Sequence, residues 1–249
     1  MIQITDLTKK YEGQTVLDTL SLRVEAGQVY CLLGKNGVGK TTLIRLILDL
    51  IQADHGQITV FGKPNTALTK VDKQNLGCVL DDLGLIEELN ALDYLSWVGA
   101  IYGMPKETIL KRRDDMLNYF FEDQSSLKKS IAKYSTGMKK KISFCAAVLH
   151  TPSILILDEP FSGLDPFVAN QMVAFLQKYQ RPDRTLFISS HDLTYVEKIA
   201  THIGVLDNQQ LVFSDTREAF TDAGAHALDS ALLQLIKPNE SEISKLDWV

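Results

Sequence analysis

The chain of 249 residues carries 26 Lys and Arg against 31 Asp and Glu, a formal net charge of −5, and 45% of it is hydrophobic. That balance argues against a general nucleic-acid binder and against a cationic face that adheres to membranes, and no apolar run approaches the ~20 residues that span a bilayer. The length allows one large domain or two smaller ones and suffices for a full core.

The first residues, Met1-Ile2-Gln3-Ile4-Thr5, alternate like a strand and lack the basic-then-apolar plan of a signal peptide. Cys31, Cys78 and Cys145 lie far apart inside apolar segments, which predicts reduced core thiols and a cytosolic chain. Ile2, Ile4 and Leu7, then Val16, Leu20, Leu22 and Val24, alternate with polar residues as half-buried antiparallel strands do, with a turn at Glu12-Gly13. Val29 to Leu33 is a short apolar run suited to a buried strand. It leads into Gly34-Lys35-Asn36-Gly37-Val38-Gly39-Lys40-Thr41-Thr42, which fits G-x-x-x-x-G-K-[ST]. Leu43, Leu46, Ile47 and Leu50 then recur at helical spacing. A strand, a glycine loop and a helix in that order form a phosphate cradle, because inward backbone N–H groups and the positive end of the helix converge on one anion. Lys40 would sit on the β- and γ-phosphates and the Thr41 hydroxyl in the shell of a Mg²⁺ ion. The loop therefore predicts a nucleoside triphosphate site. Gln57 to Phe61, ending at Gly62, reads as a further strand.

From Leu83 to Leu149 the pattern turns helical: Leu92 to Ile101, Ile109 to Phe121 and Met138 to Leu149. A helical block between a phosphate loop and later strands predicts an inserted subdomain. Ser135 precedes its last helix as a cap. Lys139-Lys140-Lys141 crowd the first turn of that helix, against its dipole; by themselves they read as a solvated charge run, and beside the phosphate loop they argue for a docked anion.

Ile154 to Leu157 is continuously apolar, as a strand covered on both faces is, and ends in Asp158-Glu159-Pro160. The ligand crevice of an open α/β sheet lies at the carboxyl ends of its strands. Asp158 there suits a Mg²⁺ shell, and Glu159 suits the general base that orients an attacking water. After a turn at Ser162-Gly163-Leu164-Asp165-Pro166 comes a helix from Phe167 to about Tyr179. A strand from Thr185 to Ser189 then delivers His191 to the same crevice, within reach of a γ-phosphate.

Together these stretches, from about Ile2 to Phe213, resemble the ATP-binding-cassette (ABC) ATPases, in particular the separate nucleotide-binding subunits of membrane transporters. In that likeness Gly34 to Thr42 is the Walker A loop, Ile154 to Asp158 is Walker B and Glu159 is the catalytic carboxylate. Ser135, Thr136 and Gly137 stand in the signature, here Tyr-Ser-Thr-Gly-Met where Leu-Ser-Gly-Gly-Gln is commoner. Asp165 stands in the D-loop, His191 is the switch histidine, and Tyr11 matches the aromatic that stacks on adenine.

The resemblance implies an α/β fold: a P-loop NTPase core with a mainly parallel sheet, an N-terminal antiparallel β subdomain and a helical subdomain inserted at about 83–149. The cassette would cover 1–215, and 216–249 would be a pair of short helices with a polar tail. Asp81 falls where most members have a metal-binding Gln, a departure shared with some peptide-antibiotic resistance and immunity exporters. The family also implies ATP and Mg²⁺, a head-to-tail dimer with a second cassette of the same or another kind, and a separate transmembrane permease. The chain would then lie in the cytoplasm on the inner face of the cell membrane and hydrolyse ATP to drive a transporter of export type. The alternatives are an ABC protein acting on ribosomes and a different P-loop enzyme such as a metabolic kinase.

Overall fold

The computed structural model describes residues 1–80 and 84–236. Ile2–Tyr11 (β1) and Gln14–Val24 (β2) pair antiparallel, and His55–Val60 (β4) and Lys63–Pro64 (β5) complete a small N-terminal sheet in the order β2-β1-β4-β5. Glu12-Gly13 makes the expected turn, with both residues at positive φ as a tight hairpin demands. The alternation within β1 and β2 is broken. Asp6 and Thr19 adopt left-handed backbone, the register shifts beside them, and Leu7, Leu17 and Leu20 all remain buried.

The second sheet holds Val29–Leu33 (β3), Leu76–Val79 (β6), Ile154–Asp158 (β7), Thr185–Ser190 (β8), His202–Asp207 (β9) and Gln210–Thr216 (β10), in the order β10-β9-β3-β8-β7-β6. Every pairing in it is parallel except β9 with β10. The α/β fold with a mainly parallel core sheet is thus present. Strands β3, β7 and β8 are buried along their whole length, which is why each reads as a largely apolar run.

Helix Lys40–Ile47 (α1) packs between the two sheets, and the side chains of β1, β2 and β4 close over it in one core. Lys70–Lys73 (α2) is a single turn fixed by a capping box between Thr69 and Asp72. The other core lies on the opposite face of the large sheet. Ala91–Ile101 (α3), Lys106–Phe120 (α4) and Thr136–Leu149 (α5) form the helical subdomain there and adjoin Pro166–Tyr179 (α6) and Leu193–Ile199 (α7). Helix α5 is buried on nearly every side after its first turn. It lies so close to β6 that a Cβ on Gly77 would sit 2.3 Å from the Ala147 carbonyl oxygen. Two short helices, Arg217–Phe220 (α8) and Leu228–Leu235 (α9), begin the C-terminal extension, and α9 packs on α7.

Two expectations are corrected. Cys31 and Cys145 are buried thiols, but Cys78 is exposed, because β6 is the edge strand. The three lysines of α5 also do not converge on an anion: Lys139 pairs with Glu87, Lys140 donates to the Ser162 carbonyl at 2.6 Å, and Lys141 donates to the Phe120 carbonyl at 2.9 Å. Successive helical positions point about 100° apart, so the run fans out and ties the helix to its surroundings. Among the described residues no helix is long and apolar enough to cross a membrane.

Candidate active site

The carboxyl ends of β3, β7 and β8 lie side by side, with Asp158 paired to Ser189 and Leu33 to Ser190. Each strand therefore releases its loop into the same crevice. A cleft of about 300 Å³ opens there, lined by Asn36, Gly37, Gly39, Lys40, Thr41, Thr42, Glu159, Ser162 and His191. Gly39 caps α1 with φ 117°, and a Cβ in its place would meet Leu17 Cδ2 at 3.0 Å and the Val16 carbonyl oxygen at 3.2 Å. The N-terminal sheet thus presses the loop so closely that only glycine fits. The first N–H groups of α1 have no partner within the helix and, together with Lys40, give this wall of the cleft its positive character.

Lys40 is buried, with its ammonium donating to the carbonyls of Gly34 at 2.7 Å and Lys35 at 3.2 Å. It also lies 3.1 Å from Glu159 Oε1, as an ion pair without hydrogen-bond geometry. On its other oxygen, Oε2, Glu159 meets His191 Nδ1 at 2.8 Å. Glu159 takes a left-handed backbone, φ 46°, uncommon for a residue with a side chain. Its N–H donates to the carbonyl of Ser189 at 3.2 Å and to the Ser189 hydroxyl at 3.0 Å, and these two bonds hold the strained peptide. The same hydroxyl donates to Asp158 Oδ1. One buried serine thus orients both acidic residues.

Asp158 is not on the wall of the cleft: it is buried, and its Oδ2 has no hydrogen-bond partner among the described residues. A buried, unsatisfied carboxylate oxygen fits a hard divalent cation that takes its remaining oxygens from phosphate and water. Among the described residues no three His, Cys, Asp or Glu side chains cluster as a self-sufficient metal site, which accords with so sparse a ligand set.

The remaining expected residues do not line this cleft. Ser135 caps α5 through the Met138 N–H at 3.3 Å, with Gly137 in the same turn, and Asp165 caps α6 through the Val168 N–H at 3.0 Å. Met138 and Asp165, one from each of these turns, border a second groove together with Phe167. Tyr11 ends β1 with its ring 44% exposed and the Lys9 ammonium 5.2 Å from its centroid. Asp81 lies outside the described residues. Ser162 and Ser189 are the two site residues that sequence reasoning passed over. Ser162 stands in the turn just after Glu159-Pro160, a position that could have pointed to it. Ser189 sits inside an apolar strand, where serine carries no motif.

Comparison with known proteins agrees with this geometry. The family described as ABC transporter matches residues 17–162. The bacitracin transport ATP-binding protein BcrA of Bacillus licheniformis is 35% identical over 213 residues, 85% of this chain and 68% of that protein. The linearmycin resistance ATP-binding protein LnrL of Bacillus subtilis is 31% identical over 94% of this chain and 74% of its own length. A solved structure of the ATP binding subunit of an ABC transporter superposes with a TM-score of 0.87 at 25% identity, over 95% of this chain and all of that one. A phosphate loop, a paired acid and histidine at the ends of adjacent parallel strands, and a family match over more than half the chain lead to one assignment: this chain belongs to the ABC transporter family, as an ATP-binding and ATP-hydrolysing subunit.

Proposed function

We infer that ATP binding closes this cassette head to tail onto a second cassette, and that hydrolysis reopens the pair and so drives a separate transmembrane permease that exports its cargo. The observation that carries this reading is the split of the expected site. Asn36, Gly37, Gly39, Lys40, Thr41, Thr42, Glu159 and His191 line one cleft, with Gly34 accepting from Lys40 beside it, while Ser135, Gly137 and Asp165 lie outside that cleft. A second copy that presents its Ser135 flank to the cleft would complete the site.

In the closed site, Lys40 and the loop N–H groups neutralise the phosphates, and Tyr11 stacks on adenine. Thr41, Asp158 and Asp81 would hold Mg²⁺, which would supply charge neutralisation of the phosphates. Glu159 accepts hydrogen bonding from the attacking water and is held for that role by His191 and Ser189. The paired cassettes sit at the cytoplasmic face of the membrane through the permease. The domain plan, a cassette over 1–215 with an extension over 216–249, belongs to the same proposal. BcrA and LnrL are named for bacitracin transport and linearmycin resistance, and a cargo of that kind, an antibiotic, is the class this reading favours.

The test is to extract membranes of the native cell in mild detergent, capture the Glu159→Gln protein with ATP, and identify its companions. A polytopic membrane protein in stoichiometric amount is the expected result. Recovery with ribosomes, or alone, would overturn the transporter reading.

A further inference from the structure

Two apolar features of the chain have no role in the site described above. The first is Phe167, in the first turn of α6 two residues after Asp165, with 67% of its surface exposed. Most of the ring therefore lies outside the core of its own chain. It borders the same groove as Met138 and Asp165, and so belongs to the flank of Ser135. The second feature is a cleft of about 240 Å³ between α9 and the start of the phosphate loop. Its walls are the aliphatic side chains of Leu33, Leu193, Leu232, Leu233 and Ile236, with Lys35 and His191 beside them. Leu233 stands 64% exposed at its rim. His191 lines both this cleft and the nucleotide cleft, so the two openings are continuous on one flank.

We propose that the α9 cleft of one copy receives Phe167 of a second copy when the two cassettes close on ATP. This inference rests on the head-to-tail reading given above, for it is that arrangement which brings the Ser135 and Asp165 flank of one copy against the Lys40 and His191 flank of the other. The shapes suit each other: a single protruding ring on one flank meets an aliphatic socket on the other. By two-fold symmetry the contact is made twice. Phe167 adjoins the Asp165 cap, and the socket adjoins His191, so each contact would bear on the switch histidine. The C-terminal extension thereby acquires a role in the chemistry without touching nucleotide.

The test uses the Glu159→Gln, Cys78→Ser chain, which removes the one exposed thiol, with Phe167→Cys and Leu233→Cys added. With ATP, mild oxidation should give a covalent dimer, and with ADP or no nucleotide it should not. In parallel, Phe167→Ala and Leu233→Ala are placed singly and together in the Glu159→Gln chain, and dimer dissociation is followed by sedimentation. Each single change should weaken the ATP-bound dimer about tenfold or more, as expected for uncovering a buried apolar side chain. The double change should be little worse than either alone. Both positions are exposed, so ADP binding by the monomer should stay as in the parent and report an intact fold. An ATP-dependent dimer without the cross-link, or with strictly additive losses, would overturn the Phe167 contact and leave closure standing. If Glu159→Gln forms no dimer with ATP, both readings fall. Protection of a Phe167→Cys thiol by a membrane protein in the absence of ATP would assign the ring to that partner and overturn the proposal.

Discussion

Replacing Glu159 by Gln keeps the size of the side chain and its backbone anchors, because both bonds from Ser189 are made to the Glu159 N–H. What changes is charge and basicity. Oε2 no longer offers a carboxylate to His191 at 2.8 Å, and the proton acceptor for the attacking water is gone. A positioned general base contributes about 10²- to 10⁴-fold, so turnover should fall by that factor, equivalent to about 3 to 5 kcal/mol of barrier. ATP affinity should move the other way or stay level. The carboxylate lies 3.1 Å from the Lys40 ammonium, the group that a phosphate must engage, so removing its charge leaves Lys40 available and takes away a repulsion. The measurement is phosphate release at saturating ATP beside equilibrium binding of a fluorescent ATP. Turnover within tenfold of the parent would refute Glu159 as base. Slowed turnover with ATP affinity lost in parallel would show that Glu159 serves binding.

Ser189→Ala removes the hydroxyl that accepts from the Glu159 N–H and donates to Asp158. The bonds are buried, so about 1 to 3 kcal/mol of positioning is lost, and turnover should drop by about tenfold to a hundredfold with little change in ATP affinity. Unchanged kinetics would show that the strand alone sets the acids. Gly77→Ala drives a Cβ to 2.3 Å from the Ala147 carbonyl, so α5 must shift away from β6. The expected cost of about 1 to 3 kcal/mol lowers Tm by about 2 to 12 °C in thermal denaturation, and an unmoved Tm would show that the helix yields freely. His150 stacks on Tyr102 with ring centroids 3.6 Å apart, its Nε2–H donates to the Leu76 carbonyl at 3.1 Å, and burial, with a smaller contribution from Arg112, holds its pKa down at about 4. The folded state thus binds its proton less readily than the unfolded chain, whose imidazole titrates near 6.5. Stability is full above that value and falls as the pH drops from about 6.5 to 4. Chemical denaturation of His150→Gln should show a shallower loss over that window, and an identical slope would refute the assignment.

The legible parts of this chain are those where local chemistry and tertiary environment agree. Gly34 to Thr42 must be glycine-rich wherever a backbone wraps a phosphate, so loop, strand and helix were all readable from one stretch. β3, β7 and β8 were readable because burial on both faces fills most of their length with apolar residues. β6, β9 and β10 carried weaker patterns. Leu76–Val79 is four residues long with Gly77 inside it and Cys78 facing out, and glycine there reads as a breaker until the approach of α5 is known. β10 alternates burial only weakly at the other edge. The lysine run of α5 misled for a different reason: sequence shows three charges together, whereas the helix turns each to a separate partner. Ser189 was invisible because its role depends on which strand lies beside it.

Strand neighbours decide the whole site. Asp158 stands opposite Ser189, and Leu33 opposite Ser190, so the residues that follow, Glu159, His191 and Gly34, leave the sheet at one level. A slip of one residue between β7 and β8 would turn every side chain to the opposite face, putting Asp158 where Glu159 now stands and separating the acid from His191. The apolar faces of both strands are buried from end to end, which makes such a slip expensive on both sides of the sheet. The strain at Glu159 then has a specific meaning. An extended residue 159 would continue the strand and carry its carboxylate away from Lys40. The left-handed turn at φ 46°, fixed by two bonds to Ser189, ends the strand at Asp158 and keeps the Glu159 carboxylate between the ammonium and the imidazole. The geometry that makes Glu159 a base is therefore written in the pairing of two apolar strands and one serine.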